Sequence, residues 1–209
     1  MVVKQIKSKN KDRLATEERL LEAAEQVFSK HGFKGATTRM IAKKADVNVA
    51  LIARYFDGKY GLMIKFIEKK AIQCRFIEMD YPPQETLAAE CLCFAKQRLL
   101  FFIDDMSLFK IVMVQFLTDP KFLKKFHESL IIFETHPAFE ARLNNLIEQK
   151  KVAPTINAAQ ILDIIEDYIF SIVMGKMLID NISHEEANTY LERFIDIFCK
   201  GLESQAKDK

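Results

Sequence analysis

The chain has 209 residues, 49% of them hydrophobic, with only six Gly, five Pro and no Trp, and a mean hydropathy of −0.04. That composition fits an all-α globule with a sizeable core, and its apolar runs, such as Leu99 to Ile103, are far too short to span a membrane. The net charge of +2 divides unevenly: residues 1–65 hold 14 Lys+Arg against 7 Asp+Glu, or +7, which leaves 17 against 22, or −5, so only the front third is expected to meet a polyanion.

Lys4, Lys7, Lys9, Lys11 and Arg13 open the chain as a basic arm, flexible on its own and able to follow phosphates. Thr16 is placed as the N-cap of the first helix, with Glu17 and Glu18 in the first turn. Leu20, Ala24, Val27 and Phe28 form its apolar stripe, and Gly32 ends it. Phe33 is expected to plug a small core with Ile41, Ile52 and Phe56. A second helix runs from Arg39 to Ala45, and Asp46-Val47 breaks it. Asn48 then caps a third helix with Ile52 and Phe56 on one face. The other face of that helix carries Val49, Ala50, Ala53 and Arg54, which are small or basic. A tight helix–turn–helix with one apolar face and one small-or-basic face suits a major-groove reader.

Leu20 to Phe33 (LLEAAEQVFSKHGF), Thr37 to Phe56 (TTRMIAKKADVNVALIARYF), Lys59 and Leu62 together resemble the DNA-binding signature of the TetR family of bacterial transcriptional regulators. The resemblance implies an N-terminal three-helix DNA-binding domain over residues 1–58 and an effector-binding and dimerisation domain over 59–209, about nine helices in all. It implies that Thr38 and Arg39 touch the DNA from the start of helix 2. Asn48, Val49, Ala50, Leu51, Ala53, Arg54 and Tyr55 would make the recognition surface, and Lys59 would bind phosphate. Leu51 stands where a small hydroxyl is usual and Ala53 where a tyrosine is usual, which removes two phosphate contacts. The entry Gly58-Lys59-Tyr60, followed by Gly61, departs from the family's Ser-Lys-Glu and weakens the start of the next helix.

Beyond the turn at Asp57-Gly58-Lys59, a fourth helix extends to about Met79 with Leu62, Phe66, Ile67 and Phe76 along one side, and Tyr81-Pro82-Pro83 breaks it. Helix 5 covers about Gln84 to Asp104 and helix 6 about Ser107 to Leu117. From Pro120 to Lys151 the pattern reads as two helices, or one kinked at Pro137. Asn157 to about Ile179 and Ser183 to about Leu202 complete the body. These last two helices are apolar on more than one side, which predicts a symmetric partner at Ile161, Ile165, Ile172, Leu191, Phe194 and Phe198, with Gly175 permitting close approach. The resemblance likewise implies a homodimer, operator DNA as a partner, and a small-molecule effector. Phe94, Phe101, Met113, Phe116, Phe133, Tyr168 and Met174 supply lining for a lipophilic or aromatic effector.

No cofactor, metal or membrane partner is expected. Cys74, Cys91, Cys93 and Cys199 form no CxxC pair and read as free thiols of a cytoplasmic protein, and the scattered histidines build no catalytic constellation. The function implied is a sequence-specific repressor released by its effector. The rival reading is a protein of the same fold that has no effector, or whose DNA-binding unit serves protein contacts.

Overall fold

The computed structural model describes residues 2–75, 79–129, 136–149 and 156–207, and side chains within these ranges except at 2–11, 71, 73–75 and 203–207. All of the regular structure among the described residues is helical: α1 (Val2–Gly35), α2 (Thr38–Lys44), α3 (Ala50–Phe56), α4 (Gly58–Arg75), α5 (Leu87–Asp104), α6 (Met106–Thr118), α7 (Pro120–Glu128), α8 (Pro137–Glu148), α9 (Ala158–Ser171) and α10 (His184–Lys207). A π-helical segment, Ile172–Ile179, continues α9. Of the two readings of the stretch after Pro120, the two-helix one holds, each helix opened by a proline whose missing N–H would be an orphan there anyway. Phe76, Phe133 and the side chains of Cys74, Lys4, Lys7, Lys9 and Lys11 lie outside the described residues.

The first helix begins at Val2, not after Thr16. Thr16 is inside it, and its hydroxyl donates to the Asp12 carbonyl at 2.7 Å, one turn back. The expected ending at Gly32 survives as a kink: φ 65° and ψ 169° lie in a region open essentially to glycine alone. Ser183 and Asn157 cap the last two long helices. The Ser183 hydroxyl accepts the Glu186 N–H at 3.2 Å while Glu186 accepts the Ser183 N–H at 2.8 Å, and Asn157 and Gln160 make the same reciprocal pair.

The chain packs as two units, residues 1–72 with 105–131, and residues 73–104 with 132–209. In the first, α1, α2, α3 and α4 share a core with α6 and α7 in which Phe28, Ile41, Ile52, Leu62 and Phe122 have no accessible surface. Phe33, Phe122, Phe116 and Phe126 continue this core as edge-on or tilted rings 4.6–6.1 Å apart. Tyr60 on α4 ties it to the start of α7, because its hydroxyl donates to Asp119 at 2.8 Å. Asp119 also accepts the N–H groups of Lys121 and Phe122. In the second unit α5 is central, packing against α8, α9 and α10.

Two outcomes test this packing. A Cβ on Gly61 would stand 1.6 Å from the Phe56 carbonyl oxygen, so Gly61→Ala cannot keep the α3–α4 corner. Thermal unfolding is expected to show a loss of at least about 2–3 kcal/mol, the range of severe backbone misfits. The three hydrogen bonds at Asp119, that from Tyr60 first, hold its carboxyl below the ordinary aspartate range. Their contribution is therefore present above the unfolded aspartate pKa and is lost as pH falls through the depressed folded value. Asp119→Asn should flatten the acid limb of a stability–pH curve, and an unchanged acid limb would refute that account.

Candidate nucleic-acid interface

The hydroxyl of Thr37 caps α2 by accepting the Met40 N–H at 3.2 Å, and α2 buries Ile41 and Ala42. Asp46 then turns the chain with φ 52°, a left-handed conformation that Asp tolerates better than most residues. Asn48 serves the third helix as expected in chemistry, though one residue earlier than a formal cap: its Oδ1 accepts the Ala50 N–H at 2.8 Å, and Val49 lies between. Ile52 and Phe56 point inward, 0% and 7% exposed, which fixes the rotation of α3 about its axis.

The opposite face is set by that rotation. Asn48, Val49, Ala50, Ala53 and Arg54 are exposed, while Leu51 and Tyr55 are half-buried against the core of the first unit. Arg39 is exposed at the start of α2 and Thr38 beside it is half-buried. Arg39, Lys43, Lys44 and Arg54 enter no ion pair among the described residues, so their charges stay available to a polyanion. Tyr55 is flanked by two guanidinium groups, Arg13 at 5.1 Å and Arg54 at 5.9 Å from its ring centroid. Around this ring runs an open groove of about 590 Å³ lined by α1, α3 and α4, including Arg13, Glu17, Arg54, Tyr55 and Lys65. Lys43, Lys44 and this placement of Arg13 were not foreseen. Lys43 and Lys44 stand in the last turn of α2, where charge pattern could have singled them out.

Lys59 is the departure. Its ammonium, expected at a phosphate, is turned inward: it donates to the Phe33 carbonyl at 2.8 Å and the Ala36 carbonyl at 3.0 Å, and lies 4.5 Å from the centre of the Phe33 ring. Burial pulls its pKa below the ordinary lysine range. Two of its three N–H donors therefore serve the fold.

Farther along the chain, the expected contact residues are divided between core and surface. Ile161, Ile165, Ile172 and Leu191 are at most 2% exposed, so they pack the second unit internally and cannot meet a partner, contrary to expectation. Phe194 and Phe198 are half-buried in a stacked column with Tyr168, at centroid distances of 3.8 and 5.6 Å. Of the expected effector lining, Phe94 is fully buried and filled against by Phe139, stacked at 3.8 Å, which makes it core rather than wall. Met113 and Phe116 pack on the core of the first unit, whereas Phe101, Tyr168 and Met174 are half-buried in the second.

Comparison with known proteins agrees with this geometry. Residues 20–65 match the family model described as bacterial regulatory proteins, tetR family. The probable HTH-type transcriptional regulator YttP of Bacillus subtilis is 49% identical over 51 residues, 24% of this chain and 25% of YttP. The HTH-type transcriptional repressor SCO4008 of Streptomyces coelicolor is 39% identical over 62 residues, 30% of this chain and 32% of SCO4008. These curated relatives are thus matched over only a quarter to a third of their own length. Two solved structures share the fold across most of both chains. FadR of Bacillus subtilis, in complex with stearoyl-CoA, has a TM-score of 0.64 at 17% identity, covering 88% of this chain and 98% of its own. GusR of Salmonella enterica has a TM-score of 0.59 at 18% identity, covering 88% and 95%.

Lys59 and Arg39 should separate cleanly. Lys59→Met is expected to destabilise the fold by about 1–3 kcal/mol, since it strands two carbonyls, while leaving the salt slope of DNA affinity unchanged. Arg39→Ala should leave stability alone and lower that slope by about one. A flattened slope in Lys59→Met, measured by titration at several salt concentrations, would instead return the ammonium to a phosphate.

Proposed function

We propose that this chain, whose residues 20–65 match the family model of bacterial tetR-type regulatory proteins, is a homodimeric, sequence-specific transcriptional regulator in the cytoplasm. Residues 1–58 read the operator and residues 59–209 bind an effector and the second copy. The observation that carries this reading is the division of α3, with Ile52 and Phe56 buried and Val49, Ala50, Ala53 and Arg54 exposed. A helix so rotated offers small side chains for close approach and a guanidinium for guanine or phosphate, and Val49 and Ala50 favour thymine methyls.

Regulation by repression and release follows the commoner behaviour of the family. Effector and operator favour different conformations, so each lowers the other's affinity. FadR binds stearoyl-CoA, and the apolar, aromatic body of this chain suits an effector that is likewise largely apolar. The dimer surface we assign is the outer side of α9 and α10, where Ile164, Tyr190 and Ile197 are 38%, 38% and 67% exposed beside Phe194 and Phe198. Gly175 faces open space there, with nothing within 4 Å of where a Cβ would stand.

Titration against duplex DNA from the chain's own promoter region, with excess unrelated DNA, tests the reading. Competitor-resistant binding by a dimer is expected, and Arg54→Ala should weaken it by about 1–3 kcal/mol if Arg54 reads a base. Ile197→Glu should yield folded monomers in sedimentation and lose tight binding. Binding that disappears with competitor would favour a unit used for protein contacts, to which the half-buried Leu51 and inward Lys59 already lean.

A further inference from the structure

The buried polar groups of the second unit are of two kinds. Glu90, with no accessible surface, is saturated: it accepts the Tyr81 hydroxyl at 3.0 Å, the Gln84 N–H at 2.8 Å and Arg142 Nη1 at 3.2 Å. That network pins the segment before α5 and asks for nothing more.

Arg98 and His136 differ. Arg98 is 7% exposed and spends Nε and Nη2 on Glu166, at 2.6 and 3.0 Å. Its Nη1 has no hydrogen-bond partner among the described residues. His136, 4% exposed, caps α8 by accepting the Phe139 N–H at Nδ1, 3.4 Å away. The proton of the neutral ring therefore sits on Nε2, and that donor too has no partner among the described residues. Native interiors rarely leave such donors unmatched, because each has given up its water.

The two side chains meet one face of α5 near its middle. The His136 ring meets the Phe94 ring edge-on at 5.0 Å, and Arg98 follows Phe94 by four residues on the same side of α5. Phe101 and Phe102, next along the helix, hold their rings 5.7 and 5.9 Å from the guanidinium. The charge there is already balanced. Glu166 neutralises Arg98, while burial first and the Arg98 charge second hold His136 below the usual histidine range, hence neutral. An anion would leave a net charge in a low-dielectric place, and a cation would find donors where it needs acceptors.

We propose that Arg98 Nη1 and His136 Nε2 recognise an uncharged apolar ligand through one oxygen acceptor, such as a ketone carbonyl, with its hydrocarbon part against Phe101 and Phe102. The assignment rests on the reading of residues 59–209 as effector-binding, and it names the chemical class of the effector.

Three size-matched probes decide it: benzophenone, diphenylmethane and diphenylacetate, each titrated calorimetrically into the full chain without DNA. Benzophenone is expected to bind about tenfold or more tighter than diphenylmethane, which lacks the acceptor, and tighter than the charged diphenylacetate. His136→Asn keeps a capping acceptor but withdraws the Nε2 donor, and Arg98→Met with Glu166→Met removes the ion pair as a unit. Each, shown folded by circular dichroism, should abolish the preference for benzophenone. No binding, equal binding, a preference for diphenylacetate, or a preference that survives both variants overturns the proposal. Release of promoter DNA is then read separately. Benzophenone that binds through these donors without releasing DNA upholds the site and sinks the effector reading. Release of wild type and both variants alike upholds the effector reading and sinks the site.

Discussion

At the end of α1 the chain leaves carbonyls that no helical N–H can reach, and the Lys59 ammonium, more than twenty residues later, takes two of them. A lysine at a helix C-terminus is favoured by the helix dipole as well as by the hydrogen bonds. Here that lysine belongs to α4, so the cap is also a tie between two helices. Gly32 makes the geometry possible by turning the backbone where a side chain would be strained. Gly61 completes it from the other side, since α4 can start directly beneath the Phe56 carbonyl only without a Cβ. Between those two fixed points, α2 and α3 have little freedom in how they sit on α1 and α4. The exposed side chains of Val49, Ala50, Ala53 and Arg54 are thus oriented by interactions made elsewhere in the first unit.

Much of this was legible in the chain. Period-3.6 patterns located α2, α3 and the latter part of α1, and Asn48 acts through the side-chain oxygen that made it readable. The departures have physical reasons. Thr16 has the chemistry of a cap, yet the polar residues before it are good helix formers, and its hydroxyl is satisfied by the Asp12 carbonyl instead. Lys59 reads as a phosphate ligand by position, but a side chain that long can also fold back, and sequence does not show which orphan carbonyls lie within reach.

The later helices posed a harder problem, because an apolar row can face either the interior of one chain or a second chain. Ile161, Ile165, Ile172 and Leu191 took the first course, while Phe194 and Phe198 stay half-buried in a stacked column with Tyr168. Periodicity defines the rows and cannot rank them by depth. Phe94 illustrates the same limit, since stacking on Phe139 closes the space that a pocket wall would need. Arg98 and His136 left no trace in the pattern at all. Their meaning comes from where α5 and the start of α8 bring them together, with one donor on each that has no partner among the described residues.

Hydrogen exchange of the full chain, alone and with promoter duplex, tests the central claim that a reading surface is held in place by the cap on α1. The account predicts slow exchange at residues 33–36 in both states, and slowing on DNA addition concentrated at residues 38–56 and absent with unrelated duplex. Fast exchange at 33–36 in the free chain, or DNA-induced slowing that spares residues 48–56, would contradict it.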